Sequence, residues 1–349
     1  MSEKASRRAD AEVASDERDH RSPTLRAASD APEPVAPPAD PATLAGEARA
    51  LPPSAILASS GPLTVFFAGA QAIPHLLYEI GRLREATFRA IGEGTDKRID
   101  LDWFDSHYLH LVLWNRERSE VVGAYRCAPT DHIIPKFGVD GLYTASLFAY
   151  GNEIVARLVP ALELGRSFVR LEYQKTYSAL LLLWRAIAEF VVRSPRYKLL
   201  FGAVSISNDF GDAAQRHIVE YLREKSYLPG LARFVRPRNP LVADPHDLPS
   251  PSSAHPEDLG SLEREVLELE GGARGVPVLL KQYLKLGGRV LSFARDPDFG
   301  DTLDVLVLVD LSAAPVRVLE RYMGPEGACA FFEYHRPTDL RRDDAWPPA

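Results

Sequence analysis

The chain has 349 residues, 46% of them hydrophobic, and a formal net charge of −7. This length and apolar content suffice for one large domain or two small ones, and the negative charge disfavours a nucleic-acid partner. The two cysteines, Cys127 and Cys329, form no C-x-x-C pair, so neither a disulfide framework nor a zinc knuckle is indicated. The sequence contains no apolar run of about 18 residues and begins with polar residues, so we expect no membrane span, no signal peptide and a cytoplasmic location.

The first 61 residues have the composition of a disordered tail. Charged residues, alanine and proline dominate this acidic segment, and little of it is apolar enough to fold into a core. We therefore expect a disordered tail over 1–61, one folded domain over 62–335 and a flexible C-terminal tail over 336–349.

Hydrophobic periodicity predicts the elements of the N-terminal half in chain order. They are a strand beginning at Leu63, a helix over 73–91 that Gly92 and Gly94 end, and a hairpin with arms at 107–114 and 121–127. A polar loop that holds Asp100, Asp102 and Asp105 separates the helix from the hairpin, and 129–161 gives mixed signals with two short helices.

The centre of the chain reads as a strand over 162–170, a largely buried helix over 178–193 and a second strand over 198–207. A right-handed crossover would make these two strands parallel. The remaining spacing predicts helices at 212–225, 259–269, 278–286, 316–323 and 326–333, and strands at 289–293 and 303–311. The fold class expected from this order is α/β, with a mixed, twisted central sheet flanked by helices.

A glutamate and an arginine lie within the strand at 162–170, where charge and glycine both reduce stability. Glu163 and Arg166 would face opposite sides of a regular strand. A bulge at Gly165 would bring them to one face and leave backbone N–H groups unpaired, which is what acyl transfer needs: donors for an oxyanion and a base for an amine. An ion pair within the sheet explains the same residues equally well.

Other charged and polar residues allow narrower inferences. Arg84 and Arg126 lie among apolar neighbours and need acidic partners, so a buried network with Asp102 and Asp105 is expected with or without catalysis. The two histidines of the hairpin fall on opposite strand faces, and we expect no metal site. Ser167 lacks the second glycine of a nucleophile elbow, and no glycine-rich dinucleotide or P-loop motif is present.

Four motifs together resemble the acyl-transferring members of the GNAT superfamily, such as acyl-homoserine-lactone synthases and the ornithine-lipid N-acyltransferases of the hemolysin type. They are Arg84-x-x-x-Phe88, Asp102-Trp-Phe-Asp105, Val122-Gly-Ala-Tyr-Arg126 and Glu163-x-Gly-Arg166-Ser-x-Val169. Three later segments are most similar to the ornithine-lipid branch: Leu181-Leu-Leu-Trp-Arg-Ala-Ile-Ala, Leu200-Phe-Gly-x-Val-Ser and Leu280-x-x-Tyr-Leu-x-Leu-Gly-Gly288. The resemblance covers roughly 62–335.

This resemblance implies transfer of a fatty acyl group from acyl carrier protein, or from coenzyme A, to the amine of an amino acid such as ornithine, in lipid biosynthesis. It implies no permanently bound cofactor, only an acyl-phosphopantetheine donor, and it adds a peripheral contact with the inner membrane. Glu163 would take up the proton of the amine. The expected catalytic residues are Glu163, Arg166, Asp102, Asp105, Arg84 and Arg126, and the expected donor-binding residues are Ser167, Phe168, Val169, Lys175, Thr176 and Ser178.

One departure from the superfamily bears on the donor. Acetyl-transferring members carry a glycine-rich pyrophosphate loop, whereas the matching segment here, Gln174-Lys-Thr-Tyr-Ser-Ala179, contains no glycine. Fewer backbone N–H groups can then approach a pyrophosphate, which favours a carrier-protein donor. The alternatives are a non-catalytic acyl-carrier or lipid-binding module, an acyl-homoserine-lactone-type signal synthase and a small-acyl GNAT enzyme.

Overall fold

The computed structural model of the chain describes residues 31–175, 178–241 and 256–336. Its strands are β1 Ile56–Ser60, β2 Leu63–Gly69, β3 Leu109–Asn115, β4 Glu120–Pro129, β5 Phe148–Tyr150, β6 Leu162–Val169, β7 Leu199–Ile206, β8 Val235–Pro237, β9 Arg289–Asp296 and β10 Thr302–Asp310. Its α-helices are α1 Pro41–Ala50, α2 Pro74–Arg89, α3 Thr130–Phe137, α4 Thr144–Leu147, α5 Asn152–Arg157, α6 Ser178–Arg193, α7 Asp212–Lys225, α8 Pro229–Ala232, α9 Leu259–Leu269, α10 Val278–Lys285 and α11 Val316–Tyr334.

Eight of the described strands form one sheet in the order β1-β2-β3-β4-β6-β7-β10-β9. The pair β6–β7 is parallel, whereas the other neighbouring pairs in this sheet are antiparallel. The expected mixed α/β sheet with parallel strands at its centre is therefore confirmed. None of the described helices combines the length and the apolar character that crossing a membrane requires.

The parallel pair separates almost as soon as it forms. Only Leu162 and Glu163 of β6 are paired, with Leu200 and Phe201 of β7. A Cβ atom on the next residue of β7, Gly202, would lie 2.1 Å from the carbonyl oxygen of Leu164, so only glycine permits this approach. Beyond this point the two strands diverge and leave an opening in the middle of the sheet.

Helices cover both faces of the sheet because its strands alternate apolar side chains between two cores. On β2, Val65 belongs to the core beneath α6, whereas its neighbour Phe66 belongs to the core beneath α2. The helix α6 is apolar around most of its circumference and is covered on its other side by α11. The opening between β6 and β7 therefore connects two helix-covered faces.

The boundary of the N-terminal tail requires correction. The expected tail covered 1–61, yet α1 and β1 are both ordered, and β1 pairs with β2. Asp40 caps α1 by accepting a hydrogen bond from the amide of Thr43, and Leu44 is buried. The alanine- and proline-rich composition indicated disorder, whereas the short helix α1 is stabilised by packing on α2. Residues 1–30 and 337–349 lie outside the described ranges.

Candidate active site

A buried network of two arginines and two aspartates lies on the face of the sheet that α2 covers. Arg84 on α2 donates to both carboxylate oxygens of Asp105, at 3.1 and 2.8 Å. Arg126 on β4 donates to Asp102 at 2.6 Å and lies 3.3 Å from Asp105. The two aspartates also cap each other's backbone N–H groups around a short 3₁₀ helix, Trp103–Ser106. The expected network is therefore present.

Electrostatics keep this network charged although it is buried. Burial would raise the pKa of Asp105, but the guanidinium groups of Arg84 and Arg126 outweigh burial and hold that pKa well below its usual range. Burial likewise opposes the charge of Arg126, while Asp102 and Asp105 raise its pKa above the ordinary value. The ring of His110 is neutral at physiological pH, because burial and the charge of Arg84 lower its pKa to about 4.

Glu163 belongs to a different set of hydrogen bonds. Its carboxylate accepts from the phenol of Tyr108, from the backbone N–H of Thr144 at 2.7 Å and from that of Tyr143 at 3.2 Å. The side chain is fully buried, and burial raises its pKa against the opposing effect of these hydrogen bonds. These contacts hold the chain at Tyr143 in place, and Glu163 is not among the residues that line the cavity described below.

The strand β6 is irregular one residue after the predicted position. Arg126 of β4 faces Gly165 and Ala124 faces Phe168, so Tyr125 alone faces both Arg166 and Ser167. Arg166 has a φ of 47°, a left-handed conformation that is strained for an arginine. Leu162 and Leu164 belong to the core beneath α6, so Glu163 points to the opposite face of the sheet. Arg166 points to that face too, against Tyr143 and Phe299. A bulge therefore does bring Glu163 and Arg166 to one face, although it lies at Arg166 and Ser167 rather than at Gly165.

A cavity of about 610 Å³ occupies the opening between β6 and β7, a size typical of ligand sites. Phe88, Phe168 and Phe299 contribute walls from the α2 face of the sheet. Leu164, Val204 and Tyr283 contribute walls from the α6 face. The cavity therefore passes through the sheet where the two central strands have separated, so that two molecules entering from opposite faces could meet inside it.

A group of charged and phenolic side chains from strands, loops and a helix end that lie far apart in the chain lines one part of this cavity. They are Glu93, Tyr143, Arg166 and Asp304. The guanidinium carbon of Arg166 lies 5.0 Å from the ring centre of Tyr143 and 4.3 Å from that of Phe299, and one of its nitrogens lies 3.8 Å from Asp100. The Nε of Arg166 has no hydrogen-bond partner in the described part of the chain.

The acids of this group have unusual titration properties. Burial, with the nearby negative charge of Asp304, raises the pKa of Glu93 to about 8. Burial, with the charge of Asp296, raises the pKa of Asp304 to about 7. Asp296 itself accepts a hydrogen bond from the phenol of Tyr143 at 3.1 Å. The group can therefore gain or lose a proton near neutral pH.

A helix-ending motif places Glu93 at the cavity. At the end of α2 the N–H of Glu93 donates to the carbonyl of Phe88 at 2.9 Å, and that of Gly92 donates to Arg89 at 3.2 Å. Gly92 has a φ of 74°, so the pattern is a Schellman cap. The hydroxyl of Ser207 holds the adjoining carbonyl of Ile91 at 2.8 Å. In the sequence, Gly92 and Gly94 indicated only the end of the helix. An acidic residue between them was the available signal for the site.

The expected donor-binding residues are partly brought together. Ser167, Phe168, Val169 and Lys175 line the cavity. Ser178 begins α6 and is exposed, and Thr176 lies outside the described residues. Of the six expected catalytic residues, Arg166 alone lines the cavity. Glu93, Tyr143 and Asp304 also line the cavity, although no sequence motif predicted them as site residues.

The chain matches a known domain family and is similar in sequence to two characterised kinds of enzyme. Residues 83–185 match the acetyltransferase (GNAT) domain. A glycine N(alpha)-acyltransferase of Bacteroides thetaiotaomicron is 31% identical over 256 residues, which cover 68% of this chain and 74% of that protein. An L-ornithine N(alpha)-acyltransferase of Rhodobacter capsulatus is 29% identical over 239 residues, which cover 65% of this chain and 80% of that protein.

Among solved structures, a CoA-dependent acyl-homoserine lactone synthase is 13% identical and overlaps 74% of this chain and 93% of its own, with a TM-score of 0.35. The family match and the mixed sheet flanked by helices agree with the GNAT-like fold that the sequence motifs predicted.

Proposed function

Because the chain belongs to the family of N(alpha)-acyltransferases that includes these glycine and L-ornithine enzymes, it is an acyltransferase, and we propose that it transfers a fatty acyl group to the α-amino group of a small amino acid. The donor in this proposal is an acyl thioester of phosphopantetheine. The acceptor is an amino acid such as glycine or ornithine, as the names of the relatives suggest.

The observation that carries the proposal is the cavity through the opened sheet. Apolar residues from β6, β7 and α10, among them Val169, Val204 and Leu279, offer a path for an acyl chain. Glu93, Arg166 and Asp304 offer a charged surface for a polar acceptor. A thioester and an amine that enter from different faces would meet between the strands, which is the arrangement that direct transfer needs.

In the proposed reaction the amine attacks the thioester carbonyl directly. The N–C bond forms, the C–S bond breaks, and the thiol leaves with one proton. Backbone N–H groups along the diverging part of β6 no longer pair with β7, and they would stabilise the oxyanion. The Arg84–Asp105 and Arg126–Asp102 pairs would keep the surrounding loops in place.

The donor is the finer part of the proposal. The segment at 174–179 lacks the glycines of a pyrophosphate loop, which supports acyl carrier protein over coenzyme A. A peripheral contact with the inner membrane, where the lipid product would be released, stays a prediction.

The test is a product analysis with the purified full-length chain. Palmitoyl carrier protein and palmitoyl-coenzyme A would each be offered with glycine or with ornithine, and N-acyl products would be identified by mass spectrometry. We expect one N-palmitoyl amino acid that depends on enzyme, donor and acceptor. The absence of an N-acyl product from all four mixtures, with a folded protein, would overturn the proposed function.

A further inference from the structure

Resting on the proposed function, we propose that Glu93 is the general base that accepts the proton of the attacking amine, and that Asp304 and Arg166 hold the amine and the carboxylate of the acceptor beside it. In this assignment Glu163 is a positioning residue, which fixes Tyr143 from behind the cavity wall.

The first argument is access. Glu93 lines the cavity, and its side chain accepts no hydrogen bond from any residue in the described ranges. Asp304 uses one oxygen to accept from the hydroxyl of Ser205 at 2.7 Å. Both residues are at least nine-tenths buried, at 9% and 1% exposure, so a free acceptor atom there lacks the water contacts that an exposed carboxylate has. Glu163, by contrast, already accepts three hydrogen bonds.

The second argument is charge complementarity. An amino acid carries an amine and a carboxylate two bonds apart. The cavity offers carboxylates from Glu93 and Asp304 close to the guanidinium of Arg166, whose Nε lacks a partner in the described part of the chain. The two carboxylates match the amino group of such an acceptor, and the guanidinium matches its carboxylate.

The third argument is proton balance. The charged groups that act on Glu93 are Asp304 on β10, Arg166 on β6 and Asp209 in the loop after β7. Burial and Asp304 raise the pKa of Glu93 to about 8, which suits a group that must take a proton from an amine and release it again near neutral pH. The neutral amine attacks, its nitrogen loses one proton to Glu93 as the N–C bond forms, and Glu93 passes that proton to the departing thiolate as the C–S bond breaks.

The decisive experiment compares Glu93→Gln with wild type in the palmitoyl-transfer assay described above. We expect kcat to fall about 10²- to 10⁴-fold, the range for losing a general base, while KM for the palmitoyl donor changes less than threefold. Glu93→Ala should regain part of its rate when formate is added, because a small carboxylic acid can occupy the vacated space. The control Glu320→Gln changes an exposed glutamate on α11 and should keep wild-type rates.

Acceptors without a carboxylate test the role of Arg166. Wild type should prefer glycine over ethylamine by at least tenfold in kcat/KM, and Arg166→Gln should reduce that preference. A preference that stays unchanged in Arg166→Gln would contradict this part of the assignment.

Different failures are distinguishable. If wild type acylates an amino acid and a folded Glu93→Gln retains its rate within fivefold, the base assignment is overturned while the proposed function stands. If wild type forms no N-acyl product, the proposed function falls and this inference falls with it. Thermal melting of each variant separates a lost base from a lost fold.

Discussion

Two clusters of arginines and carboxylates meet at the ring of Tyr143, which both Arg126 and Arg166 contact, and they differ in how their carboxylates are paired. In one cluster, both oxygens of Asp105 are bound by Arg84, and Arg126 is held by Asp102. In the cavity cluster, Glu93 has no hydrogen-bond partner among the described side chains, and Arg166 touches Asp100 only at 3.8 Å.

This difference in pairing distinguishes structural charged residues from ligand-binding ones better than residue type does. A buried carboxylate that arginines of the protein pair stabilises one conformation, and removing an arginine leaves that carboxylate without compensation. A buried charge without a partner destabilises the fold and is best explained by a ligand that completes it. The four predictions below test this contrast, starting with the largest effect.

Removing one member of the paired cluster should destabilise the folded protein. Arg126→Ala would leave Asp102 without its partner and reduce the compensation of Asp105, which is 2% exposed. We expect the free energy of unfolding to fall by about 3–5 kcal/mol, or no folded protein at all. Urea denaturation followed by circular dichroism measures this.

The matched control is Arg118→Ala. Arg118 has 70% of its side chain exposed and lies 3.8 Å from Glu120. Its loss should change the free energy of unfolding by less than about 0.5 kcal/mol. If Arg126→Ala were as stable as this control, the paired cluster would not be a structural device.

Glu163→Gln should also act on stability more than on chemistry. A glutamine offers one acceptor oxygen in place of two, and its amide would face the N–H of Tyr143 or the phenol of Tyr108. We expect the free energy of unfolding to fall by about 1–3 kcal/mol. The residual activity should keep the wild-type pH profile, whereas a variant that retains full stability and loses transfer would restore Glu163 as the base that the sequence analysis expected.

In the unpaired cluster, removing a charged group should stabilise the folded protein instead of destabilising it. Glu93 has a pKa of about 8 in the folded chain against an ordinary value of 4.5. Between these pH values the folded state keeps a proton that the unfolded chain has released. The stability contributed by protonated Glu93 is therefore present below about pH 4.5 and is lost as the pH rises through about 8.

Glu93→Gln should remove this loss. We expect the melting temperature of the variant to decline less than that of wild type between pH 5 and pH 9, and to exceed it at pH 8.5. The gain should be about 1–2 kcal/mol, or roughly 2–4 °C for each kcal/mol in a domain of 150–250 residues. Parallel melting curves for the two proteins across this range would show that Glu93 ionises normally.

The sequence predicted the paired cluster and most of the elements because both depend on local pattern. The helix expected at 178–193 matches α6. Arg84 and Arg126 lie among apolar residues in the sequence, which predicted that each needs an acidic partner. The ordered segment at 41–60 was missed because α1 is short and is stabilised by packing on α2.

The unpaired cluster could not be assembled from local pattern. Glu93 follows a helix end, Arg166 occupies a bulge with positive φ, and Asp304 lies inside an apolar strand near the end of the chain. Their proximity depends on the order of strands in the sheet, which places β10 beside β7 and β7 beside β6. The family motifs drew attention to Glu163 instead, because it shares a strand with Arg166.

The smallest expected effect concerns the donor. Five basic residues lie around the central strand and helix and could form a patch for an acidic carrier protein: Arg170, Lys175, Arg193, Arg196 and Lys198. In the structure Arg170 pairs with Glu120, Arg193 with Glu189 and Arg196 with Asp131, at 2.7, 2.7 and 3.0 Å. Lys175 is exposed, lines the cavity and forms no ion pair within the described residues, so it remains the best-placed cation for a phosphate near the start of α6.

Lys175→Glu should therefore raise KM for palmitoyl carrier protein by roughly 2–5-fold, with kcat unchanged, because a rim charge acts mainly on association. The difference should shrink as added salt screens the charge. Lys136→Glu, on the exposed surface of α3, reverses the same charge away from the cavity and should leave KM unaltered. If both variants raised KM equally, the effect of Lys175 would be one of net charge and not of position. If neither salt nor Lys175→Glu changed KM, a carrier protein would not dock at this end of the cavity.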